Sequence, residues 1–530
     1  MIDLETIRAT NAFSLSEGPP RIALVHHGFR STQLAAHDKR SSRFSARYPS
    51  LGLLNIARSA QVDFEEGRLA FEPEFRYFDE DCYEDDEALL SKMLAWLDTA
   101  PARFLMVGLY SLAFDRTASM LRKVNGDRYC IVVGGAHPTV APNVDFAHLV
   151  VRGEGAAAVR HILSTFMTDG FGEGPDAAGI CYLQNGIEHI GRTVFDRSLE
   201  KLPAPAFRYD LSREETGTAK ERWWKSLGHN QQIYICTQSC RARCTFCSTY
   251  LIHGKLVSRP VDKIAGDMDY IINDLGHDAL QFHDDDILQH EEFDELLHLL
   301  QSKSIQWSCN ARSEFITPEL ASRLYAAGCR RVFLGAESFD QRSLDYYRKE
   351  TTVDMNRQAV RALDVAGIGV VCGYIIGAPH DTVDSLLRDF DEVLSLPIYF
   401  LAAAILTPDI GTVEFGRAAQ RFPELKALGD EPRLNVRPRP DLYGSKAPYG
   451  LPTVAEAISK DDLNDLYGMI NCAFFLRWDA WARIERYTPP HLVNEALAWR
   501  TFHESRALEL VQQARLSVVR DRMQALLEVL

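Results

Sequence analysis

The chain has 530 residues, 46% of them hydrophobic and 25% charged, with a formal net charge of −15. This mix excludes a disordered or fibrous chain, and the length provides for about two to four domains with sizeable cores. The acidic balance, with no Lys/Arg-rich block, argues against nucleic acid as the main partner. No apolar run reaches the roughly 18 residues of a membrane helix.

The start, MIDLETIRAT, is polar and does not read as a signal peptide. Eleven cysteines scattered over so long a chain speak against a disulfide framework and for a reducing cytoplasm. From the N-terminus, RIALVHH, FRYFDED, RFLMVGLYS, YCIVVGG and HLVVRGE read as apolar strands. Helical stretches such as LGLLNIARSA and EDDEALLSKMLAWLD separate them. The alternation predicts a doubly wound, Rossmann-like parallel sheet over residues 1–200. GICYLQNG and IEHIGR predict a hairpin around Asn185-Gly186. The proline-containing LEKLPAPAFRYD marks a boundary, giving a linker over 201–230 in which Trp223 and Trp224 are expected to pack against the next domain.

Residues 231–415 alternate again. QIYIC, ALQFH, IQWSCNA, RRVFLGA, GVVCGYIIG and YFLAAAIL read as six strands with helices between them. An amphipathic segment carries Val261, Ile264, Met268, Ile271 and Leu275 between Pro260 and Gly276; another helix opens at Thr317-Pro318. Strict alternation implies parallel pairing under right-handed crossovers, with ligands gathered at the carboxyl ends of the strands. The remainder, 416–530, reads as a mostly helical domain, interrupted by the irregular RPRPDLYGSKAPYGLP.

Polar clusters follow these strands. Asp284, Asp285 and Asp286 come after the second; they either bind a cation or ribose hydroxyls, or form a loop that caps the next helix. Asn310 and Arg312 follow the third, where an Arg fork suits a carboxylate or a surface ion pair. Glu337 and Ser338 follow the fourth.

The most informative run is TQSCRARCTFCSTY. Cys240, Cys244 and Cys247 have C-x3-C-x2-C spacing, one thiolate short of closing an iron–sulfur cluster. Three thiolates on a 4Fe–4S cube leave one iron open to a small molecule. Zinc would want a fourth ligand and a second Cys or His pair, and no pair with that spacing lies downstream. Cys236 ends the apolar IYIC and reads as a buried strand cysteine.

CRARCTFC resembles the CxxxCxxC signature of radical S-adenosylmethionine (SAM) enzymes, including the aromatic Phe246 before the last Cys. The resemblance implies a partial (β/α)6 TIM-like barrel with the three cysteines as cluster ligands. GAES, GYIIGAP and TPDIGT resemble later segments of that family, the last with Ile410 in place of a proline. By the same resemblance Phe246, Asp285, Arg312, Glu337, Ser338 and Gly377 would contact SAM, with Gly373 and Gly377 letting backbone approach adenine. Upstream, YPSLGLLNIA, VGLYS, VVGGAHPTVAPN and VVRGEGAAAVRHIL resemble the cobalamin-binding domain that precedes many radical SAM cores. Tyr110, Ser111, Gly134, Gly135, His137 and Glu154 would then meet cobalamin, although His137 can equally satisfy a backbone group in its own turn. The D-x-H-x-x-G motif that supplies a histidine to cobalt is absent; His26-His27-Gly28 has the wrong spacing.

Together these resemblances imply a cobalamin-dependent radical SAM C-methyltransferase acting on an unactivated carbon of a small metabolite or natural-product intermediate. One SAM would methylate cobalamin, and a second would yield the 5′-deoxyadenosyl radical. The alternative is an enzyme of the same architecture that cyclises, rearranges or oxidises without methyl transfer. Expected partners are the small substrate and an electron donor such as flavodoxin or ferredoxin, with no nucleic acid and no membrane. A tRNA methylthiotransferase would bring extra cluster cysteines, whereas residues 1–230 hold only Cys82, Cys130 and Cys181.

Overall fold

The computed structural model describes residues 1–9, 19–27, 50–110, 113–177, 179–195, 226–423 and 453–530. The first sheet is built from β1 (Arg21–His26), β2 (Glu74–Asp79), β3 (Arg103–Gly108), β4 (Cys130–Gly134), β5 (Leu149–Val151), β6 (Ile180–Gln184) and β7 (Ile187–His189). Its order is β2-β1-β3-β4-β5-β6-β7. The first five strands are parallel, and β6 and β7 are antiparallel. The expected hairpin is β6–β7, turning at Asn185 and Gly186 with φ of 52° and 74°.

Alternate side chains of each strand serve opposite layers. Ile22, Leu24, Phe104 and Met106 are buried with α1 (Leu51–Glu65) and the later helix Gly155–Asp169. Ala23, Val25, Leu105 and Val107 are buried with α2 (Asp86–Leu97) and α3 (Phe114–Leu121). Both faces are thus covered, which is why the strands read as unbroken apolar runs. Each fully buried Leu, Val or Ile contributes about 1.5–3 kcal/mol. After β4 comes the short α4 (Ala136–Val140), and after β5 the helix α5 (Gly155–Asp169).

The second sheet runs β8 (Gln231–Tyr234), β9 (Ala279–Phe282), β10 (Gln306–Ala311), β11 (Cys329–Glu337), β12 (Gly369–Ile376) and β13 (Phe400–Ile405). All neighbours are parallel, in the order β13-β12-β11-β10-β9-β8, so β8 and β13 are the edges of an open arc. The helices that join or follow these strands include α6 (Thr249–His253), α7 (Val261–Asp269), α8 (Phe293–Lys303), α9 (Pro318–Ala326), α10 (Val353–Val365), α11 (Val383–Ser395) and α12 (Val413–Arg421). Thr317, Thr352 and Thr382 cap α9, α10 and α11 through their side chains, each worth about 1 kcal/mol. The amphipathic segment beginning at Val261 is α-helical only to Asp269. It widens to a π turn over Tyr270–Asp274 before ending at Gly276, where φ is 69°.

Among the described residues four α-helices follow, α13 (Lys460–Leu476), α14 (Ala480–Tyr487), α15 (Val493–Gln513) and α16 (Ser517–Val529). α13 packs against β13 on one side and against α15 and α16 on the other. At the amino-terminal end of the arc, Arg331 is buried. Its guanidinium donates to the carbonyls of Ser226 (3.0 Å) and Tyr487 (2.7 Å) and lies 4.9 Å from the Tyr399 ring. Most of the expected linker, including Trp223 and Trp224, and the whole RPRPDLYGSKAPYGLP segment lie outside the described residues. No helix among the described residues is long and apolar enough to cross a membrane.

Candidate active site

The thiol loop leaves β8 through Cys236 and a two-residue ribbon, Thr237–Gln238, paired antiparallel with Val257–Ser258. Ser239 then takes φ of 74° to turn the chain into Cys240. The three adjacent carboxylates after β9 hold this path. Asp284, fully buried, accepts the Thr237 hydroxyl at 2.6 Å, the Cys236 amide and thiol at 3.1 Å each, and the Thr237 amide. Asp285 accepts the Ser239 amide at 3.1 Å and the Thr249 hydroxyl at 3.0 Å, bracing both ends of the loop. Asp286 accepts Gln289 Nε2 at 2.9 Å; the same amide donates to Cys240 Sγ at 3.2 Å, and Gln289 Oε1 takes the Arg241 amide. Burial pushes the Asp284 and Asp286 carboxyls up to about 6, against hydrogen bonds that pull them down. The run FHDDD is therefore a buried cradle for the cysteine loop, and Asp286 also caps the short helix Ile287–Gln289 by accepting the Leu288 amide at 3.1 Å. Cys236 sits on Asp284, apart from the three-cysteine hairpin.

Arg312 reaches Cys244 from β10. Its Nη1 lies 3.4 Å from Cys244 Sγ, Nη2 donates to the Lys349 carbonyl, and Nε pairs with Glu314. Glu337 ends β11 with φ of 66°, a left-handed backbone that costs a non-glycine residue about 1–3 kcal/mol. Its Oε1 accepts buried Lys349 Nζ at 3.0 Å. A side chain at Gly335 would meet both members of this pair at 2.9 Å, and one at Gly373 would meet Glu337 Oε2 at 3.3 Å. Phe246 packs edge-on against Tyr347, centroids 5.5 Å apart. The Tyr347 hydroxyl is buried with no hydrogen-bond partner among the described residues; burial, and then the charge of Asp381, push it well above the usual phenol range.

Two residues of the expected set are occupied elsewhere. Ser338 donates to Asp389 at 2.9 Å, in a buried group that includes the Tyr374 hydroxyl. Gly377 has φ of 91°, and a side chain there would lie 2.8 Å from Leu463 of α13, so its open space serves a helix contact. Lys349, Tyr347 and Gln289 escape the sequence reading because they lie on turns and short helical segments that strand-end reasoning does not visit.

On the first sheet, Gly108, Gly134 and Gly135 line the carboxyl rim. Gly135 has φ of 103°, and a side chain there would sit 3.1 Å from the Leu109 carbonyl. Tyr110 is 36% exposed at this rim, while Ser111 lies outside the described residues. His137 is buried, its ring 4.9 Å from Phe114, and burial pushes it down to about 4. Its backbone amide donates to the Leu109 carbonyl, so it packs into the domain rather than standing on the rim.

The two rims meet. α4 of the first sheet packs against α6, the helix that follows the thiol loop, and Gly411 abuts Val140 and Leu251. Glu154, at the amino end of α5, accepts Gln238 Nε2 at 2.9 Å and lies 3.5 Å from His253 Nδ1.

A cluster and a single ion are separated by sulfur spread. The one set of three or more His, Cys, Asp or Glu ligand atoms within 4.8 Å of one another among the described residues is His27, Glu80 and Asp86. The three thiols are thus not gathered as closely as the ligands of one tetrahedral ion. The His27 group is itself neutralised by Arg116, which pairs with Glu80 and Asp86.

Residues 234–393 match the family model of the Radical SAM superfamily. The chain is 24% identical over 309 residues to an uncharacterised methyltransferase of Pyrococcus horikoshii, covering 56% of this chain and 64% of that one. It is 24% identical over 272 residues to the anaerobic magnesium-protoporphyrin IX monomethyl ester cyclase of Cereibacter sphaeroides, covering 48% and 43%. With a bacteriochlorophyllide d C-12(1)-methyltransferase of Chlorobaculum tepidum it shares 28% over 193 residues, covering 35% and 42%. The chain thus spans less than two thirds of the length of these curated relatives. Among solved structures, the cobalamin-dependent SAM radical enzyme OxsB with aqua-cobalamin superposes with a TM-score of 0.61 at 14% identity, covering 97% of this chain and 76% of that one. The radical SAM methyltransferase TsrM of Kitasatospora setae superposes with 0.57 at 13%, covering 92% and 89%.

Proposed function

We propose that this chain, which carries a radical SAM domain over residues 234–393, is a cobalamin-dependent radical SAM enzyme. Its reaction is methyl transfer to an unactivated carbon of a small metabolite or natural-product intermediate. The observation that carries this reading is the packing of α4 against α6, which sets a glycine-lined Rossmann rim beside a three-thiol loop. When bound, the cluster, SAM and cobalamin supply one-electron cleavage of a sulfonium and a carrier for a methyl group.

The residues fit those groups. Cys240, Cys244 and Cys247 would hold the cluster. Gln289 donates to Cys240 and Arg312 to Cys244, which fixes where those two sulfurs stand. Arg312 with Glu314 and Lys349 with Glu337 form a largely buried set of two cations and two anions suited to an amino acid's carboxylate and ammonium. The orphaned Tyr347 hydroxyl beside Phe246 offers a donor to a ligand inside the arc. Gly134 and Gly135 let the other rim close tightly on Val151 and Leu109, and half-exposed Tyr110 stands there to meet a flat cofactor. The chain's own work is to orient these groups and keep water out between the rims.

Anaerobic reconstitution followed by iron, sulfide and corrinoid analysis tests the cofactor set; zinc or no metal at the loop would end the proposal. Likeness to a ring-forming cyclase favours a second reading, cyclisation without methyl transfer. SAM carrying a trideuterated methyl group separates the two by product mass. The reductant is an electron carrier such as flavodoxin or ferredoxin.

A further inference from the structure

The thiol loop and the turn beside it carry two exposed arginines whose side chains have no partner among the described residues. We propose, on the radical SAM reading above, that Arg241, Phe315 and Arg348 form the docking patch for a small acidic one-electron carrier protein that reduces the cluster. Arg241 lies between two cluster cysteines, and its backbone is pinned by Gln289, which also holds Cys240. Arg348 lies between Tyr347, whose carbonyl takes the Thr245 amide at 2.9 Å, and Lys349, whose carbonyl takes Arg312. Phe315 follows Glu314, which is spent on Arg312. Arg312 therefore ties all three segments to Cys244.

Both arginines are exposed, and among the described residues neither guanidinium has a hydrogen-bond, ion-pair or ring partner. Arg243, by contrast, is folded back onto the carbonyls of Cys240, Arg241 and Ala242 and the Tyr250 ring. Phe315 is 44% exposed, an apolar surface on the segment that Arg312 holds through Glu314. On a chain of net charge −15 such cations are conspicuous. Arg241 and Arg348 differ from other exposed cations, such as Arg361 and Arg388, in flanking the cluster loop, so an acidic carrier drawn to them arrives where an electron can pass. That place is the solvent side of the loop; the other side faces the seam between the domains. In the transfer the carrier loses one electron and the cluster gains it, and no bond between the two proteins forms or breaks.

The test is stopped-flow reduction of the reconstituted cluster by reduced flavodoxin, across ionic strength, in R241E/R348E and in the wild type. The double reversal is expected to lower the second-order rate about tenfold or more at low salt and to flatten its salt dependence. F315S should slow the carrier while leaving the salt slope in place. Photoreduced deazaflavin, a small reductant that needs no docking patch, should reduce all three proteins alike. An unchanged carrier rate in R241E/R348E overturns the proposal, and so does an equal loss with deazaflavin, which would place the effect on the cluster itself. Wild-type protein that takes up no iron and sulfide overturns both this inference and the function beneath it.

Discussion

The side-chain amide of Gln238, two residues before the first cysteine of the thiol loop, donates to the Glu154 carboxylate of the first sheet at 2.9 Å. His253, at the end of α6, approaches the same oxygen at 3.5 Å. A hydrogen bond to a charged group is worth about 1.5–3 kcal/mol. E154A should therefore loosen the seam without unfolding either sheet. Hydrogen–deuterium exchange is expected to quicken in 136–140 and 249–253 and to stay unchanged in β1, β3 and β12. Uniform exchange changes would show that Glu154 acts on global stability instead.

Asp284 is predicted to govern cluster retention although it is no cluster ligand. D284A strands the amides of Cys236 and Thr237 in a buried site, at a cost of about 1–3 kcal/mol for each. Iron should be lost to a chelator several-fold faster than from the wild type. C240A, C244A and C247A should hold no cluster at all, and C236A should keep most of it. Equal loss in C236A would show that the ligand set is wrong.

Lys349 and Glu337 should be costly to separate. Removing one partner of a buried ion pair typically destabilises by about 3–5 kcal/mol, because the other charge is left without compensation. K349M is expected to lower the thermal midpoint, and K349M/E337Q to recover part of that loss. SAM affinity measured by calorimetry should fall in both variants. Full affinity in the double variant would remove the pair from SAM recognition and leave it a structural role.

Acid should attack the C-terminal helices through His503. The ring is buried and stacked 4.7 Å from Phe475, its Nδ1 lies 3.8 Å from Cys472 Sγ, and its Nε2 has no hydrogen-bond partner among the described residues. Burial pushes it down to about 3 from an ordinary value near 6.5. The unfolded chain therefore binds the proton more readily than the folded one between these values. This contribution to stability is fully present above about pH 6.5 and declines as pH falls toward 3. H503F should flatten that stretch of the stability profile; an unchanged slope assigns acid sensitivity to other groups.

Both sheets were legible because their strands are apolar runs separated by amphipathic helices, from RIALVHH to YFLAAAIL. The thiol loop was legible because three cysteines at that spacing have few other uses. Harder to read were groups whose meaning depends on neighbours distant in sequence. Asp284 looks like a surface acid until Thr237 is seen against it, and Gly377 looks like a ligand contact until Leu463 fills its open side. Lys349 lies in YYRKE, where nothing local tells a buried cation from a solvated one. His137 stands in a glycine-rich motif, yet Phe114, more than twenty residues earlier, decides where its ring goes.

Arg331, held by Ser226, Tyr487 and the Tyr399 ring, acts as a stopper in the floor of the arc. Among the described residues the amino-terminal end of the arc is thus filled by protein, from Ser226 at one side to the helix ending at Tyr487 at the other. The opposite end carries the thiol loop, and there any ligand of the loop also meets the first sheet, joined to it where α4 packs on α6 and Glu154 holds Gln238.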